Sequence, residues 1–471
     1  MDRASQVRVS RGAGELLLEL ELRRGRLRRS VREALREAIQ DGRLRAGTRL
    51  PSSRRLAVDL GVSRGVVSDC YDQLVSEGYL EISGRTAPLV AAVVGVSPPM
   101  PETPPPSWRF DFIATTPDVS LFPRRAWARA VDRSLRTAAD LALDYGDHRG
   151  QAALRHALST YLARVRGVRI DPERIVVTQG FTQALDLLCR VLAGRGHGTI
   201  AIETPSLPDE WATVRQSNLR LVGCPVDGGG LRVDRLEALG ADAVIVTPAH
   251  QFPTGAVLAP ARRTALVGWA AQRGGLIIED DYDAEFRYDR LATGAVQGLD
   301  PGRVAHVGTA SKTLAPGCRI GWLSLPGDLV DDVKARKAAA DSGSPAIDQL
   351  GFAELLTSGD YERHVTRVRH VYRGRRDRLV RALGRAMPNL ETRGAAVGMH
   401  LLLALDRSVD DAAVVDAAAE RGIRVRALSP LHLEPSPERG LLLGYGRLVE
   451  ERIDEAVDAL ARVLRRVGVP T

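Results

Sequence analysis

The sequence has few cysteines and no long apolar run, and both shortages exclude classes of protein. Its 471 residues include four widely spaced cysteines and no Cys-x-x-Cys pair. We therefore predict reduced thiols, with neither a disulfide framework nor cysteine ligands for zinc. No stretch approaches the roughly 18 apolar residues that a membrane helix needs, which predicts a chain without a membrane span. The N-terminal residues lack the apolar core of a signal peptide, so we expect a cytoplasmic protein.

Lysine is also scarce. Of the 66 basic side chains only three are lysines, namely Lys312, Lys334 and Lys337. Residues 1–100 hold 17 arginines against 12 acids, so +5 of the net charge of +8 lies in about a fifth of the chain. A basic N-terminal module indicates a polyanionic partner such as nucleic acid. On charge alone, a solvated basic surface stays open as the alternative.

A proline-rich segment divides the chain. The stretch VSPPMPETPPPS at 96–107 contains six prolines, which remove backbone donors and favour extended geometry. The predicted organisation is an N-terminal head at 15–95, a linker at 96–109 and a body at 110–471, with subdomains at about 145–335 and about 336–471.

The head has the pattern of short helices followed by a hairpin. One apolar stripe recurs every four residues at Leu27, Val31, Leu35 and Ile39 and predicts an amphipathic helix. A second helix at 53–60, capped by Ser52, is followed by a turn at Gly61 and a third helix capped by Ser63. The segments 79–82 and 87–94 predict a hairpin. This order is typical of a winged helix-turn-helix, an α+β module that binds DNA.

The third helix is the one expected in the major groove. We predict that Ser63, Arg64 and Ser68 lie on its exposed side, and that Arg54 reaches a backbone phosphate. The alternative is an ordinary helical corner with Arg54 and Arg64 solvated. The hairpin and the basic charge favour DNA binding.

The segment LPSSRRLAVDLGVSRGVVSDCYDQLVSEGYL resembles the DNA-binding domain of GntR-type bacterial regulators, over about residues 25–95. The resemblance implies that Arg54, Ser63, Arg64 and Ser68 face DNA. It also implies that Arg85, at the hairpin tip, reaches the minor groove, where a narrow groove attracts arginine.

The body alternates short apolar runs with helical stretches. The runs are RIVVTQ (174–179), TIAIE (199–203), LRLVGCPV (219–226), AVIVTP (243–248), GLIIED (275–280), VAHVGT (304–309) and IGWLSLP (320–326). Many lack polar alternation and are expected to be buried on both faces, which predicts an α/β domain with a mainly parallel sheet. Ligands bind such sheets at the carboxyl ends of the strands.

Four of those ends carry unusual residues. Gln179-Gly180-Phe181-Thr182 enters a helix, and free N–H groups at a helix start suit a phosphate. The loop after the fourth run holds His250 and Gln251. Residues 279–285 contain five acids in seven positions. The sixth run ends at Thr309 and is followed by Ser311, Lys312 and Arg319.

Together these residues match the needs of pyridoxal phosphate. Lys312 is suited to form a Schiff base. Asp280 is suited to keep the pyridine nitrogen protonated, and Tyr282 to donate to the ring oxygen. The predicted phosphate cup consists of Thr309, Ser311, Arg319 and the turn at Gly180. Two alternatives stay open: a Mg²⁺ or Ca²⁺ site on the acidic run, and a surface on which Lys312 and the acids face solvent.

The pieces IIEDDYDAEFRY and GTASKTLAPGCRIGW resemble the fold-type-I aminotransferases of class I, and this resemblance runs from about residue 110 to 464. It implies that Lys312 forms the internal aldimine, that Asp280 pairs with the pyridine nitrogen and that Tyr282 faces the ring oxygen. The phosphate contacts that it implies are Thr309, Ser311, Arg319 and the amides of Phe181 and Thr182.

Two further positions follow from the same resemblance. Tyr145, in YGDHRG, matches the tyrosine that reaches the phosphate of the partner subunit, which implies a homodimer with shared cofactor sites. Phe252 stands where aminotransferases carry an Asn before Pro-Thr-Gly, so His250 or Gln251 is expected to replace that contact.

A GntR-type head, a proline linker and an aminotransferase-like body form the combination found in the MocR subfamily of transcription regulators. We therefore expect a regulator in which pyridoxal phosphate, or its aldimine with an amino compound, controls binding to a double-stranded DNA operator. Leu207 replaces the aromatic residue of the subfamily's Glu-x-Pro-Gly-Tyr motif. Asp209 stands near the effector-binding arginine of a GABA-sensing member, and Arg447 is a poor match for the small-domain arginine. The alternative is an active aminotransferase with Lys312 as its catalytic residue.

Overall fold

The computed structural model describes residues 3–11, 14–22, 27–82, 87–91, 107–288, 294–394 and 396–471. The chain forms two compact units, residues 1–106 and 107–471. Residues 92–106, which include most of the predicted linker at 96–109, and the hairpin tip at 83–86, with Arg85, lie outside the described residues. None of the described helices combines the length and the apolar character that a membrane crossing requires.

The described part of the first unit contains three helices and two antiparallel strand pairs. Its elements are β1 (Arg3–Arg11), β2 (Gly14–Leu22), α1 (Leu27–Gln40), α2 (Ser53–Leu60), α3 (Arg64–Ser76), β3 (Leu80–Glu81) and β4 (Leu89–Val90). The pair β3–β4 confirms the predicted hairpin. The pair β1–β2, with Arg3 opposite Leu22, was not predicted.

A buried apolar core holds the three helices together. The stripe of α1 is confirmed, because Val31, Leu35 and Ile39 are buried and pack with Val67 and Leu74 of α3. Ser52 caps α2 as predicted, with its Oγ accepting a hydrogen bond from the Arg55 amide at 3.3 Å. The prediction that the Ser63 side chain caps α3 was wrong. This residue occupies the N-cap position of α3, but its side chain accepts no capping hydrogen bond within the described part of the helix.

The second unit is built on an eight-stranded sheet and a smaller antiparallel one. Its strands are β5 (Phe110–Asp111), β6 (Ile175–Thr178), β7 (Thr199–Thr204), β8 (Arg220–Asp227), β9 (Gly230–Leu231), β10 (Ala243–Val246), β11 (Leu276–Asp281), β12 (Val304–Thr309), β13 (Gly321–Ser324), β14 (Thr392–Arg393), β15 (His400–Leu405), β16 (Ile423–Arg424), β17 (Arg426–Ala427) and β18 (Arg439–Gly444).

The large sheet has the order β6-β13-β12-β11-β10-β7-β8-β9. The neighbours from β12 through β11, β10 and β7 to β8 are parallel, whereas β13 and β9 run antiparallel. Each of the seven predicted runs matches one of these strands to within two residues at either end. The strands β10, β11 and β12 in the middle of the sheet, and β6 at its edge, are buried along their whole length, as expected for a sheet covered on both faces.

The helices of the second unit cover the large sheet and connect it to the smaller sheet. They are α4 (Arg124–Thr137), α5 (Ala152–Arg166), α6 (Phe181–Gly194), α7 (Pro208–Gln216), α8 (Leu236–Leu239), α9 (Pro260–Arg273), α10 (Val330–Asp341), α11 (Ala346–Thr357), α12 (Asp360–Ala386), α13 (Asp411–Ala419) and α14 (Ile453–Arg466). The smaller sheet has the order β14-β15-β18-β17, and its apolar core includes Phe110 and Phe112. The start of the unit therefore packs with its C-terminal part, since β5 pairs with β16.

Candidate functional site

An open cavity of about 240 Å³ lies where strands of the large sheet end. It brings together the ends of β7, β10, β11 and β12 with the start of α6. Eight of the ten side chains predicted to contact the cofactor line it: Phe181, Thr182, Asp280, Tyr282, Thr309, Ser311, Lys312 and Arg319. His250 and Tyr145 do not belong to its lining in this chain.

Asp280 supplies a buried carboxylate with one unpartnered oxygen among the described residues. The residue is 7% exposed, and its Oδ1 accepts no hydrogen bond from any described residue. Burial, with the nearby charges of Glu210 and Asp281, raises the pKa of Asp280 well above its ordinary value, and Lys312 acts in the opposite direction. A buried polar atom without a partner is rare, and a protonated ring nitrogen would satisfy this one. The unpartnered Asp280 oxygen is therefore an acceptor that suits the N–H of a pyridinium ring.

Lys312 shares the cavity with Asp280. Burial lowers the pKa of Lys312, although Asp280 and Asp283 raise it in part. A lowered pKa makes the neutral amine more accessible, and the neutral amine is the nucleophilic form of a lysine.

The five acids of 279–285 are all buried, which argues against the alternative of a solvent-facing run. Their side chains also diverge. Glu279 accepts the amides of Val296 and Gln297, at 2.7 and 2.9 Å. Asp281 accepts two hydrogen bonds from Arg166, at 2.7 and 3.0 Å, and lies 3.0 Å from His306 Nε2. Because these carboxylates have separate partners, the arrangement favours the cofactor interpretation over a shared cation.

Tyr282 is positioned by His250. Its hydroxyl lies 3.1 Å from His250 Nδ1 and 3.2 Å from the His250 carbonyl, and that same nitrogen lies 2.9 Å from Asp283 Oδ2. His250 is 1% exposed and stands behind Tyr282 instead of on the cavity wall. The side-chain amide of Gln251 donates to the carbonyls of Pro205 and Phe252. Phe252 itself lines the cavity.

The phosphate turn, which we define as residues 179–182, lies beside Arg319. Gly180 has φ +100°, a backbone conformation that residues with a side chain rarely adopt, so the turn itself favours glycine. Phe181 opens a 14-residue helix whose first amides are free to donate. Thr309 Oγ1 and Ser311 Oγ lie 2.9 Å apart. Cation, hydroxyls and amides together form a cradle suited to a phosphate.

Two acids on the cavity wall, Glu203 and Glu210, were not predicted from the sequence. Glu203, the last residue but one of β7, accepts hydrogen bonds from the amide and hydroxyl of Thr247, at 2.9 and 2.5 Å. Burial raises the pKa of Glu203 to about 7, and burial with the Glu203 and Asp209 charges raises the pKa of Glu210 to about 8. The position of Glu203 at a strand end was a usable signal. Nothing in the pattern marked Glu210, or Thr115 from outside the sheet.

These raised pKa values predict that the cofactor-free protein loses stability as the pH rises from about 5 to about 8. A carboxyl with a raised pKa binds more protons in the folded than in the unfolded state, so stability falls with pH across that window. For Glu210 the window runs from its ordinary value of 4.5 to about 8. We expect Glu210→Gln to flatten the curve of melting temperature against pH, and Asp209→Asn, at the exposed neighbour, to flatten it less. Parallel curves for the parent and Glu210→Gln would contradict this.

In the first unit, Arg54, Ser63 and Arg64 are exposed. Neither arginine has an ion-pair partner among the residues that the structure describes, which leaves both guanidinium groups available to a polyanion. Ser68 was expected on the exposed side but is half-buried, because it lies three residues before the buried Tyr71 and so borders the packed face of the helix. Arg55, next to Arg54, is paired with Asp59 at 3.1 Å.

Comparison with known proteins identifies two family patterns. "Aminotransferase class I and II" matches residues 117–460, and "Bacterial regulatory proteins, gntR family" matches residues 27–90. The chain is 33% identical over 429 residues to the HTH-type pyridoxine biosynthesis transcriptional regulator PdxR of Corynebacterium glutamicum, covering 89% of this chain and 92% of that protein. It is 30% identical over 460 residues to the probable rhizopine catabolism regulatory protein MocR of Rhizobium meliloti, covering 92% and 93%.

A solved structure resembles the second unit. It is LysN, the alpha-aminoadipate aminotransferase of Thermus thermophilus, complexed with N-(5'-phosphopyridoxyl)-L-leucine. The TM-score is 0.69 at 26% identity, over 76% of this chain and 92% of that one.

Proposed function

We infer from the chain's membership of the class I and II aminotransferases, with the gntR-family head of MocR-type regulators, that it is a transcription regulator controlled by pyridoxal phosphate. The head binds DNA. The observation that carries the control by cofactor is that Lys312 and the unpartnered Asp280 line one cavity with the phosphate turn. A regulator of this kind acts in the cytoplasm, where the chromosome lies.

Residues of the second unit have separate tasks toward the cofactor. When bound, pyridoxal phosphate supplies an aldehyde that an amine can attack and a ring that withdraws electrons. Lys312 offers the amine, Asp280 accepts the ring N–H, and Tyr282, held by His250, donates to the ring oxygen. Thr309, Ser311, Arg319 and the amides of Phe181 and Thr182 hold the phosphate.

The proposed assembly is a homodimer in which Tyr145 completes the partner's phosphate site. Tyr145 is 83% exposed in its own chain. Four further large apolar side chains between residues 119 and 145 are exposed, namely Val119, Leu135, Leu141 and Leu143. Apolar side chains exposed over a short stretch are a feature of interaction surfaces.

The proposed effector is the cofactor itself, or the cofactor joined to an amino compound. The alternative, an active aminotransferase, is supported by the intact pair of Lys312 and Asp280. It is opposed by charge, because the only basic side chains among the described residues that line the cavity are Lys312 and Arg319. Both are used by the cofactor. Arg447 is engaged elsewhere, 3.3 Å from Asp111.

The DNA-binding proposal predicts different results for the two exposed arginines. If Arg64 reads a base, Arg64→Ala weakens specific binding by about 1–3 kcal/mol and relaxes the preference at one position. Arg54→Ala weakens binding to all sequences alike and reduces the slope of log affinity against log salt by about one, because one phosphate contact is lost. Titration of the full chain against the DNA upstream of its own gene measures both.

Arg55→Ala is the matched control for Arg54→Ala. It removes the same charge from the neighbouring position, but its guanidinium is already paired with Asp59. We expect it to change the salt slope less than Arg54→Ala does. Failure of the parent protein to bind any upstream duplex specifically, with cofactor present, would count against a regulator.

A further inference from the structure

A buried ion pair lies on α10, away from the cavity lining. The Lys337 side chain is fully buried, and its Nζ lies 2.6 and 2.8 Å from the two carboxylate oxygens of Asp341 and 3.0 Å from Ser344 Oγ. All three ammonium protons therefore have acceptors. Lysine is almost never fully buried unless it is paired, and burying both charges is costly. A pair of this kind holds its groups in one geometry.

The pair is bonded to the phosphate turn through two glutamines. Asp341 Oδ2 accepts hydrogen bonds from Gln183 Nε2 at 2.7 Å and from Gln179 Nε2 at 3.2 Å. Gln183 Oε1 in turn accepts the backbone amide of Gln179 at 2.8 Å. The amide and the side chain of the first residue of the turn are thus both fixed. Asp341 is itself held from the other side by the Gly343 amide, at 2.9 Å.

We propose that Lys337, Asp341 and Gln183 are positioning residues that set the affinity of the site for the phosphate group of its ligand. They contact neither the cavity nor Lys312 among the described contacts, so they act through the turn. Free amides bind a phosphate well only if they already point at it, since otherwise binding has to order them. The proposal rests on the proposed function, because it takes the turn to be the phosphate site.

The test compares pyridoxal phosphate with pyridoxal, which lacks the phosphate. Gln183→Met keeps a side chain of similar length but removes the two hydrogen bonds that Gln183 makes, to Asp341 and to the Gln179 amide. It leaves the ion pair of Lys337 and Asp341 intact. We expect it to weaken the binding of pyridoxal phosphate about tenfold, which is the effect typical of losing a residue that holds a ligand-binding group in place. Pyridoxal binding should stay unchanged. Spectral titration measures the first ligand, and borohydride trapping on Lys312 at high concentration measures the second, weaker one.

Asp341→Asn is the second variant, and it is expected to show the same selective loss. It leaves Lys337 buried without its counter-charge, so it also lowers the melting temperature. Asp186→Asn is the matched control: it removes a carboxylate from the same helix as Gln183, where Asp186 is paired with Arg190 at 2.8 Å. We expect the control to bind both ligands like the parent.

Two results for Gln183→Met would overturn the positioning role. Equal weakening of both ligands indicates a general structural effect, and unchanged binding of both indicates that the turn needs no support. Failure of the parent chain to bind pyridoxal phosphate is a different result, because it would overturn the proposed function first. The parent measurement therefore separates the two failures.

Discussion

Replacing Lys312 with alanine is expected to abolish the covalent, borohydride-fixed attachment of pyridoxal phosphate to this protein. Lys312 lines the same cavity as Asp280, and its lowered pKa favours the neutral amine that reacts with an aldehyde. The parent protein, treated with the cofactor and borohydride, should carry the label on the peptide that contains residue 312. Mass spectrometry of the digested protein measures the labelled fraction.

The two other lysines make this test specific. Lys334 has a side chain that is 39% exposed and lies 3.7 Å from Asp147. Lys337 is buried in its pair with Asp341. Lys334→Ala, which also removes one lysine, is the control and should keep the full label. A label on either of these lysines, or a label of undiminished size in Lys312→Ala, would refute the assignment.

The sheet and the cofactor residues were predictable because both depend on local sequence. Runs such as AVIV and GLII lack polar alternation, which only a strand buried on both faces tolerates. The carboxyl ends of parallel strands then meet at one edge, so residues 280, 309 and 312 had to approach each other. This logic located most of the cavity without any knowledge of tertiary contacts.

Tertiary packing decided the positions that the sequence did not predict. Lys337 and Asp341, four residues apart on a helix, have the spacing of a solvent-facing pair, yet Lys337 is fully buried. Glu210 follows a strand by several residues, and Thr115 comes from outside the sheet. Their places depend on how distant segments fold back onto the cavity, which no local pattern records. Ser68 was placed on the exposed side of its helix but is half-buried.

The second large effect separates regulation from catalysis. We expect pyridoxal phosphate to change the affinity for the DNA operator by about tenfold or more, within the usual range of coupling between two sites. A ligand that binds one arrangement of the protein more tightly shifts the population toward it. Titration of the operator with cofactor-loaded, cofactor-free and Lys312→Ala protein measures this coupling. The variant should respond to the cofactor less than the parent does.

Turnover of amino acids, GABA included, is expected to be negligible. A transaminase has to hold the substrate carboxylate so that the substrate is oriented toward the lysine, and a bidentate arginine normally does this. Here Glu203, Asp209 and Glu210 line the cavity. The half-buried Arg426 interacts electrostatically with Asp209. The Asp209 carboxylate would therefore compete with a substrate carboxylate for the Arg426 guanidinium. A keto-acid assay across an amino-acid panel measures turnover. Rapid multiple turnover, together with operator binding indifferent to the cofactor, would favour an aminotransferase over a regulator.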